Sequence, residues 1–359
     1  MIVREATFED KSVWDSFVDG EGGAFSLYFD YGKYVHEVGG GEFIPLLVET
    51  APARLVGMLP IVRENHLLYS TIDSGRGGSG QGLLLKRGLS DSERSEAITE
   101  LVEYVDTHCS RRCSSFELAE SPTSVGEPSG EPTAALVNKG FRFIRNTGLP
   151  CNFVLRLRQP FEETIWKEWP RTHRQDISKA ARSGVVVIQD RGLRYAEDFI
   201  TMLSENYERH GARPPNVNEI KARLYEFRDK TKLFVALRDG QPIVTLLCHY
   251  TPSTCYLALV GSHEKGTNDA NRLCYKAAIE DACNAGLRFA DLGYTNTESL
   301  AFFKERFRAT RVPLRTYEKR YSILRTVMQE AHSLVNHTWH DKSHIWSNRR
   351  RLWARIVRT

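Results

Sequence analysis

The chain states one pattern twice. Residues 132–146 read Pro-Thr-Ala-Ala-Leu-Val-Asn-Lys-Gly-Phe-Arg-Phe-Ile-Arg-Asn, and residues 298–312 read Glu-Ser-Leu-Ala-Phe-Phe-Lys-Glu-Arg-Phe-Arg-Ala-Thr-Arg-Val. Each is a short apolar helix with a Lys at its end (Lys139, Lys304), followed by an aromatic residue that opens a strand. Upstream, each half has a pair of strands, Phe43–Val48 with Leu55–Val62 and Leu233–Leu237 with Ile243–Tyr250. A helix then feeds a further strand, Ala97–Cys109 into Ser115–Leu118 and Asn271–Ala285 into Arg288–Leu292. The spacing of over 160 residues is too long for a solenoid unit, whose period is roughly 20–50 residues. It fits a duplicated α/β (α+β) domain. Function is then expected between the copies, or in the copy that kept the chemistry.

A chain of 359 residues accommodates two such domains, each large enough for its own core. The expected division is 1–150, 151–320 and a tail, 321–359. A net charge of +4 is too small to mark the whole chain as a nucleic-acid binder. Seven scattered cysteines argue against a full disulfide framework and are expected to be reduced and mostly buried. No signal-like start and no apolar run of membrane-spanning length is present, so the expected location is cytoplasmic, without membrane insertion.

Between these landmarks, Ile2–Ala6 and Val185–Gln189 are expected as strands, and Lys11–Val18, Asp30–Glu37, Ala196–Arg209 and Val217–Asp229 as helices. Cys151–Arg158 alternates as a strand and opens the second domain. Glu163–Ser183 is a charged helical region interrupted by Pro170 and stopped by Gly184. Glu120–Pro132 is a Pro/Gly/Ser/Glu loop.

The tail differs in character. Trp339, Trp346 and Trp353 recur every seven residues, which puts them on one helical stripe. Lys342, Arg349, Arg350, Arg351, Arg355 and Arg358 surround the stripe, with no acid from 342 to 359. Two readings stand: a terminal helix docked by its tryptophans, or a contact for polyanionic RNA or an anionic membrane in which Arg349, Arg350, Arg351 and Arg355 meet phosphates.

Three candidate motifs carry chemistry. The glycine-rich stretch Ser74–Gly82, with Arg76 inside it, is able to bring backbone N–H groups to a ligand, but it has neither the P-loop pattern nor dinucleotide-fold spacing. It is either a substrate-binding loop or a turn. His337, His340 and His344 share a helical face, a spacing more typical of solvated histidines than of a metal site; no metal is expected. No Gly-x-Ser-x-Gly elbow or recognisable nucleophilic cysteine occurs, so covalent catalysis is not indicated. Lys304 stands out, flanked by Phe302, Phe303 and Phe307. A partly desolvated Lys acts strongly on a developing anion; the alternative is a helix C-terminal Lys complementing the dipole.

The ordered motifs resemble a known family. They run Arg171-x-x-Arg174-x-x-Ile177-x-Lys179-Ala180, Asn206-Tyr207-Glu208-Arg209-His210-Gly211, Asp239-Gly240-Gln241-Pro242, Tyr256 before Gly261-Ser262, Asp291-Leu292-Gly293-Tyr294 and Phe303-Lys304-x-x-Phe307. This order, over about residues 1–320, is similar to that of the FemAB/FemX peptidyltransferases, tandem GNAT-fold acyltransferases. The resemblance implies tandem duplicated GNAT-like domains and transfer of an aminoacyl group from aminoacyl-tRNA to an amine of a peptidoglycan precursor or small peptide-like metabolite, with no bound cofactor. It implies that Lys304 stabilises the tetrahedral oxyanion, Phe303 lines the acyl site, Arg209 binds an acceptor phosphate or carboxylate, Tyr256 lines the acceptor channel and Tyr207 contacts substrate. Asp291, Tyr294 or the acceptor itself remain open as the base. Acetyl-CoA enzymes carry Gln/Arg-x-x-Gly-x-Gly/Ala after the central strand; here His263-Glu264-Lys265-Gly266-Thr267-Asn268 stands in that place, which favours an aminoacyl-tRNA donor. The alternatives are acyl-CoA-dependent N-acylation of an amino sugar or similar amine, and a non-catalytic RNA- or envelope-binding protein.

Overall fold

The computed structural model describes residues 1–50, 54–74, 82–119, 134–145, 149, 151–211, 214–263 and 268–329. Arg76 and residues 330–359 of the tail, with Arg349, Arg350, Arg351 and Arg355 and its histidines and tryptophans, lie outside the described residues. In the first half, β1 (Ile2–Glu5), α1 (Lys11–Glu21) and α2 (Phe29–Gly39) precede β2 (Glu42–Thr50), β3 (Arg54–Asn65), β4 (Ser70–Ser74) and the short β5 (Leu84–Leu85). Then follow α3 (Asp91–Tyr104), β6 (Cys113–Ala119), α4 (Ala134–Asn138) and β7 (Arg142–Arg145). The second half begins with β8 (Cys151–Arg156), α5 (Phe161–Thr164), α6 (Arg171–Arg182), β9 (Val186–Gln189), α7 (Ala196–Arg209) and α8 (Val217–Tyr225). It continues through β10 (Thr231–Arg238), β11 (Gln241–Tyr250), β12 (Thr254–Ser262), α9 (Asn268–Asn284), β13 (Phe289–Thr295), α10 (Glu298–Glu305), β14 (Thr310–Pro313) and β15 (Arg315–Arg320).

Local chemistry sets several boundaries. Ser90 and Glu93 form a reciprocal capping box that starts α3. The side chains of Asn216 and Thr297 accept from backbone N–H groups at the starts of α8 and α10. Asp239 and Gly240 both have positive φ, at 52° and 76°, as the two-residue hairpin between β10 and β11 requires.

The strands form two sheets of matching order, β1-β2-β3-β4-β6-β15-β7 (with β5 on β3) and β14-β8-β13-β12-β11-β10-β9. Each contains one parallel pair, β4 with β6 and β12 with β13, amid antiparallel neighbours. A parallel pair needs a long crossover, and α3 and α9 supply it. The duplication is therefore structural as well as sequential. One feature departs from the division at 150 and 320. The strand β15, at the end of the 151–320 segment, inserts between β6 and β7 of the first sheet. In the matching slot of the second sheet, β8 lies between β13 and β14. The first sheet thus combines residues 2–145 with 315–320, and all strands of the second fall within 151–313.

Each sheet has its own core. One gathers Ile98, Leu101 and Val102 of α3 with Phe116 and Tyr317; the other gathers Cys274, Ala278 and Ile279 of α9 with Phe153, Leu246 and Phe307. A third cluster joins the halves: Phe25, Tyr28, Tyr31 and Leu47 pack with Phe227, and Tyr256 lies against them. All seven cysteines are unpaired and buried. No described helix is long and apolar enough to cross a membrane.

Candidate active site at the splayed strands

The strands β12 and β13 pair only from Thr254 to Tyr256 with Phe289 to Asp291. Beyond that point they diverge and open a cleft of about 1320 Å³, lined from both halves: Phe25 and Tyr31 of the first, Arg223, His249 and Tyr256 of the second, with Lys304 and Asp291 at the splay. Register is lost on β13 between Asp291 and Tyr294, where Gly293 takes φ +82°. An L side chain rarely adopts that conformation, and here it turns the Gly293 and Tyr294 carbonyls to a buried cation. Lys304 Nζ donates to Gly293 O at 2.8 Å and to Tyr294 O at 2.9 Å. Asp291 Oδ1 accepts from Gly293 N at 2.7 Å, so Gly293 bridges the carboxylate and the ammonium.

Both groups are almost fully enclosed, Lys304 at 3% and Asp291 at 4% exposure. Burial disfavours each charged form. It lowers Lys304 to about 8 against partial support from the Asp291 charge. It raises Asp291 to about 6, opposed by the Gly293 N–H, the Lys304 charge and Asn152. At neutral pH both remain mostly charged, with titration points displaced toward the working range; such pairs gather at functional sites. An ammonium has three N–H donors. Two are taken by carbonyls, which leaves one for a ligand oxygen.

The first copy offers a control. Lys139, the sequence equivalent of Lys304, pairs with Glu103 at the surface of α3. Only the second copy buries its Lys in a cleft.

The other expected residues divide. Tyr256 and Tyr207 line the cleft, as do Phe303 and Tyr294. Tyr256 is the register partner of Asp291 across the parallel pair, and Phe303 is fixed by edge contacts to Tyr275 (5.2 Å) and Phe307 (5.4 Å). Arg209 is different, because backbone and side-chain oxygens of the protein take up its guanidinium. Its guanidinium donates to Ser262 O, to His263 O at 2.6 Å, to Ser262 Oγ at 3.2 Å and to Asn206 Oδ1 at 3.3 Å. It ties the end of α7 to the end of β12, and its neighbours Asn206, Tyr207 and His210, rather than Arg209, line the cleft.

Sequence reasoning missed three contributors. Asn152, buried on the inserted strand β8, donates to Asp291 Oδ2 at 3.4 Å; its signal is an Asn inside the apolar run Cys151-Asn152-Phe153. Arg223 is held by Glu219 and stands over the Tyr31 ring at 5.3 Å. His249 stacks on Phe25 with centroids 4.0 Å apart. The last two join the halves, and no local pattern announces them.

Residues 170–305 match the family model described as acetyltransferase (GNAT) domain. The crystal structure of FemX superposes with a TM-score of 0.72 at 12% identity, covering 89% of this chain and 97% of FemX. The chain has the FemX-like tandem GNAT fold. Other structures share this tandem GNAT fold. A tandem GNAT protein from the clavulanic acid biosynthesis pathway gives a TM-score of 0.54 at 12% identity, covering 89% and 98% of the two chains. L-PGS from Bacillus licheniformis gives 0.55 at 10% identity, covering 91% and 96%. No curated protein matches in sequence. In this tandem GNAT fold the Lys304 cleft opens at the splay of the second copy; Asp291 and Lys304 fall within the matched residues, whereas Phe25 and Tyr31 line it from outside them.

Proposed function

We propose that the chain is an acyltransferase that forms an amide bond, moving an aminoacyl group from aminoacyl-tRNA to an amine of a peptidoglycan precursor or small peptide-like metabolite. The observation that carries the reading is the Lys304 ammonium, buried at the splay among the cleft-lining residues with two of its three N–H donors taken by backbone carbonyls. An acceptor amine attacks the ester carbonyl; the amide C–N bond forms, the C–O bond to the tRNA ribose breaks, and the amine proton ends on the ribose oxygen. Lys304 stabilises the oxyanion of the tetrahedral intermediate. Asp291 is the base, because its pKa of about 6 suits proton acceptance near neutrality. Tyr294, half-exposed at the mouth, and Phe303 border the acyl group; Tyr207 and Tyr256 border the acceptor. The cleft exceeds the roughly 300–1,000 Å³ of ordinary small-molecule sites, which supports an extended acceptor. The likeness of the fold to that of FemX supports the same reading. The tail arginines Arg349, Arg350, Arg351 and Arg355 serve the tRNA phosphates.

The test is donor consumption. Purified protein is incubated with an amine acceptor panel and either labelled aminoacyl-tRNA or acetyl-CoA. Acceptor-dependent loss of the aminoacyl label supports the reading. Consumption of acetyl-CoA alone replaces it with N-acylation. Retention of RNA with neither donor consumed replaces it with a binding protein.

A further inference from the structure

At one end of the first sheet the distribution of side chains is inverted. The turn between β3 and β4 lifts Leu67 and Leu68 into solvent, at 97% and 63% exposure. Residues 323–329, the last described, are helical and hold Ile323, Leu324 and Val327 outward at 72%, 66% and 41%. The same helix buries Thr326, whose hydroxyl donates to Ser322 O at 2.8 Å and Ser114 O at 3.4 Å. A helix on a protein surface ordinarily does the reverse. The two apolar segments adjoin. Ser114 Oγ donates to Ser70 O at 3.1 Å, directly after the β3–β4 turn, and the Ser114 carbonyl anchors the helix.

Two adjacent arginines flank this apolar surface. Arg111 and Arg112 are exposed in the turn before β6, and the Arg112 carbonyl accepts from Ser70 N at 3.0 Å, beside the leucine turn. Arg325, on the helix, is half-buried, and its charge reaches the buried Cys113 thiol. Among the described residues, neither Arg111 nor Arg112 pairs with an acid.

We propose that this end of the first sheet docks on an anionic lipid bilayer, with Leu67, Leu68, Ile323 and Leu324 entering the headgroup boundary and Arg111 and Arg112 meeting lipid phosphates. The combination selects that partner. Aliphatic side chains beside unpaired arginines gain from an acyl boundary under a negative surface. RNA would use the arginines but gains its base contacts from aromatic platforms, and this surface offers aliphatic ones. A second copy meeting through the same patch would face its own unpaired positive charge.

The experiment is co-sedimentation of the full chain with phosphatidylcholine vesicles, with and without phosphatidylglycerol. Binding is expected only with the anionic lipid, and falls with added salt. The double variant Leu67→Ser/Leu68→Ser should bind about tenfold more weakly, as should Ile323→Ser/Leu324→Ser. Arg111→Ala and Arg112→Ala should each weaken binding roughly fivefold. A Leu67→Trp variant should show a blue-shifted emission on adding anionic vesicles and none with neutral ones, which keeps the test valid if a serine variant misfolds. The proposal is overturned if the protein does not bind anionic vesicles, or if binding is indifferent to both leucine and arginine changes. It is equally overturned if these substitutions alter tRNA retention or the protein's own sedimentation instead.

Discussion

Lys304 and Lys139 occupy the same place in the two repeats, and their surroundings separate them. Lys139 has water and Glu103; Lys304 has two carbonyls and a buried carboxylate nearby. Lys304→Met is therefore expected to lower kcat by about 10²–10³ in a protein that still folds, whereas Lys139→Met leaves kcat unchanged. Steady-state kinetics on the two purified variants checks this, and wild-type turnover in Lys304→Met removes the residue from the mechanism. The pH profile follows from the same pair. Raising pH through about 8 discharges Lys304, so the rate falls on the alkaline side. Lowering pH through about 6 protonates Asp291, so the rate falls on the acid side. Because the Asp291 charge supports protonated Lys304, Asp291→Asn should move the alkaline limb to lower pH. An alkaline limb that stays in place would sever the coupling. Arg209 makes a further residue-scale expectation. Loss of its carbonyl contacts in Arg209→Ala should lower stability by about 1–3 kcal/mol, read as a lower Tm. A large rise in acceptor KM with unchanged Tm would return Arg209 to substrate binding.

The exchanged strand is the decisive element. A protein cut at residue 150 retains β6 and β7 but not β15, which joins them. Both strands would then present unpaired N–H and C=O groups, and the core beneath would lose Tyr317, which is fully buried. The fragment 1–150 is expected to be insoluble or to lack a cooperative unfolding transition. Adding a peptide spanning 313–329 in trans should recover some of it. A fragment 1–150 that melts cooperatively by circular dichroism would show that β15 is dispensable. The helix-and-strand grammar around this element was accessible to local reasoning. Ala196–Arg209 is a helix with the expected ends, and Gly184, at φ +82°, follows the helix α6 it was expected to stop. The destination of Arg315–Arg320 was not accessible, because alternation marks a strand without naming its partner.

At the scale of the molecule, the cleft is a joint product of two halves, with Phe25 stacked on His249 and Tyr31 beneath Arg223. The tail is expected to add donor affinity. Truncation before Lys342 removes six basic side chains, so tRNA affinity should fall and its dependence on salt should flatten as fewer counterions are released. Filter binding across a salt series measures both; a lower Tm with unchanged affinity and slope would assign the tail to packing.

The sequence by itself determined the duplication, the helices and strands of each copy and the prominence of Lys304. These follow from local periodicity, from capping and turn residues, and from the repeated position of one Lys among aromatics. Tertiary structure alone decided which lysine became buried, that Asn152 supports Asp291, that Arg209 fastens a strand end, and that β15 returns to the first sheet. The physical reason is common to all four. Burial, charge coupling and strand pairing depend on what lies opposite in space, and a linear pattern specifies the side chain but not its neighbour.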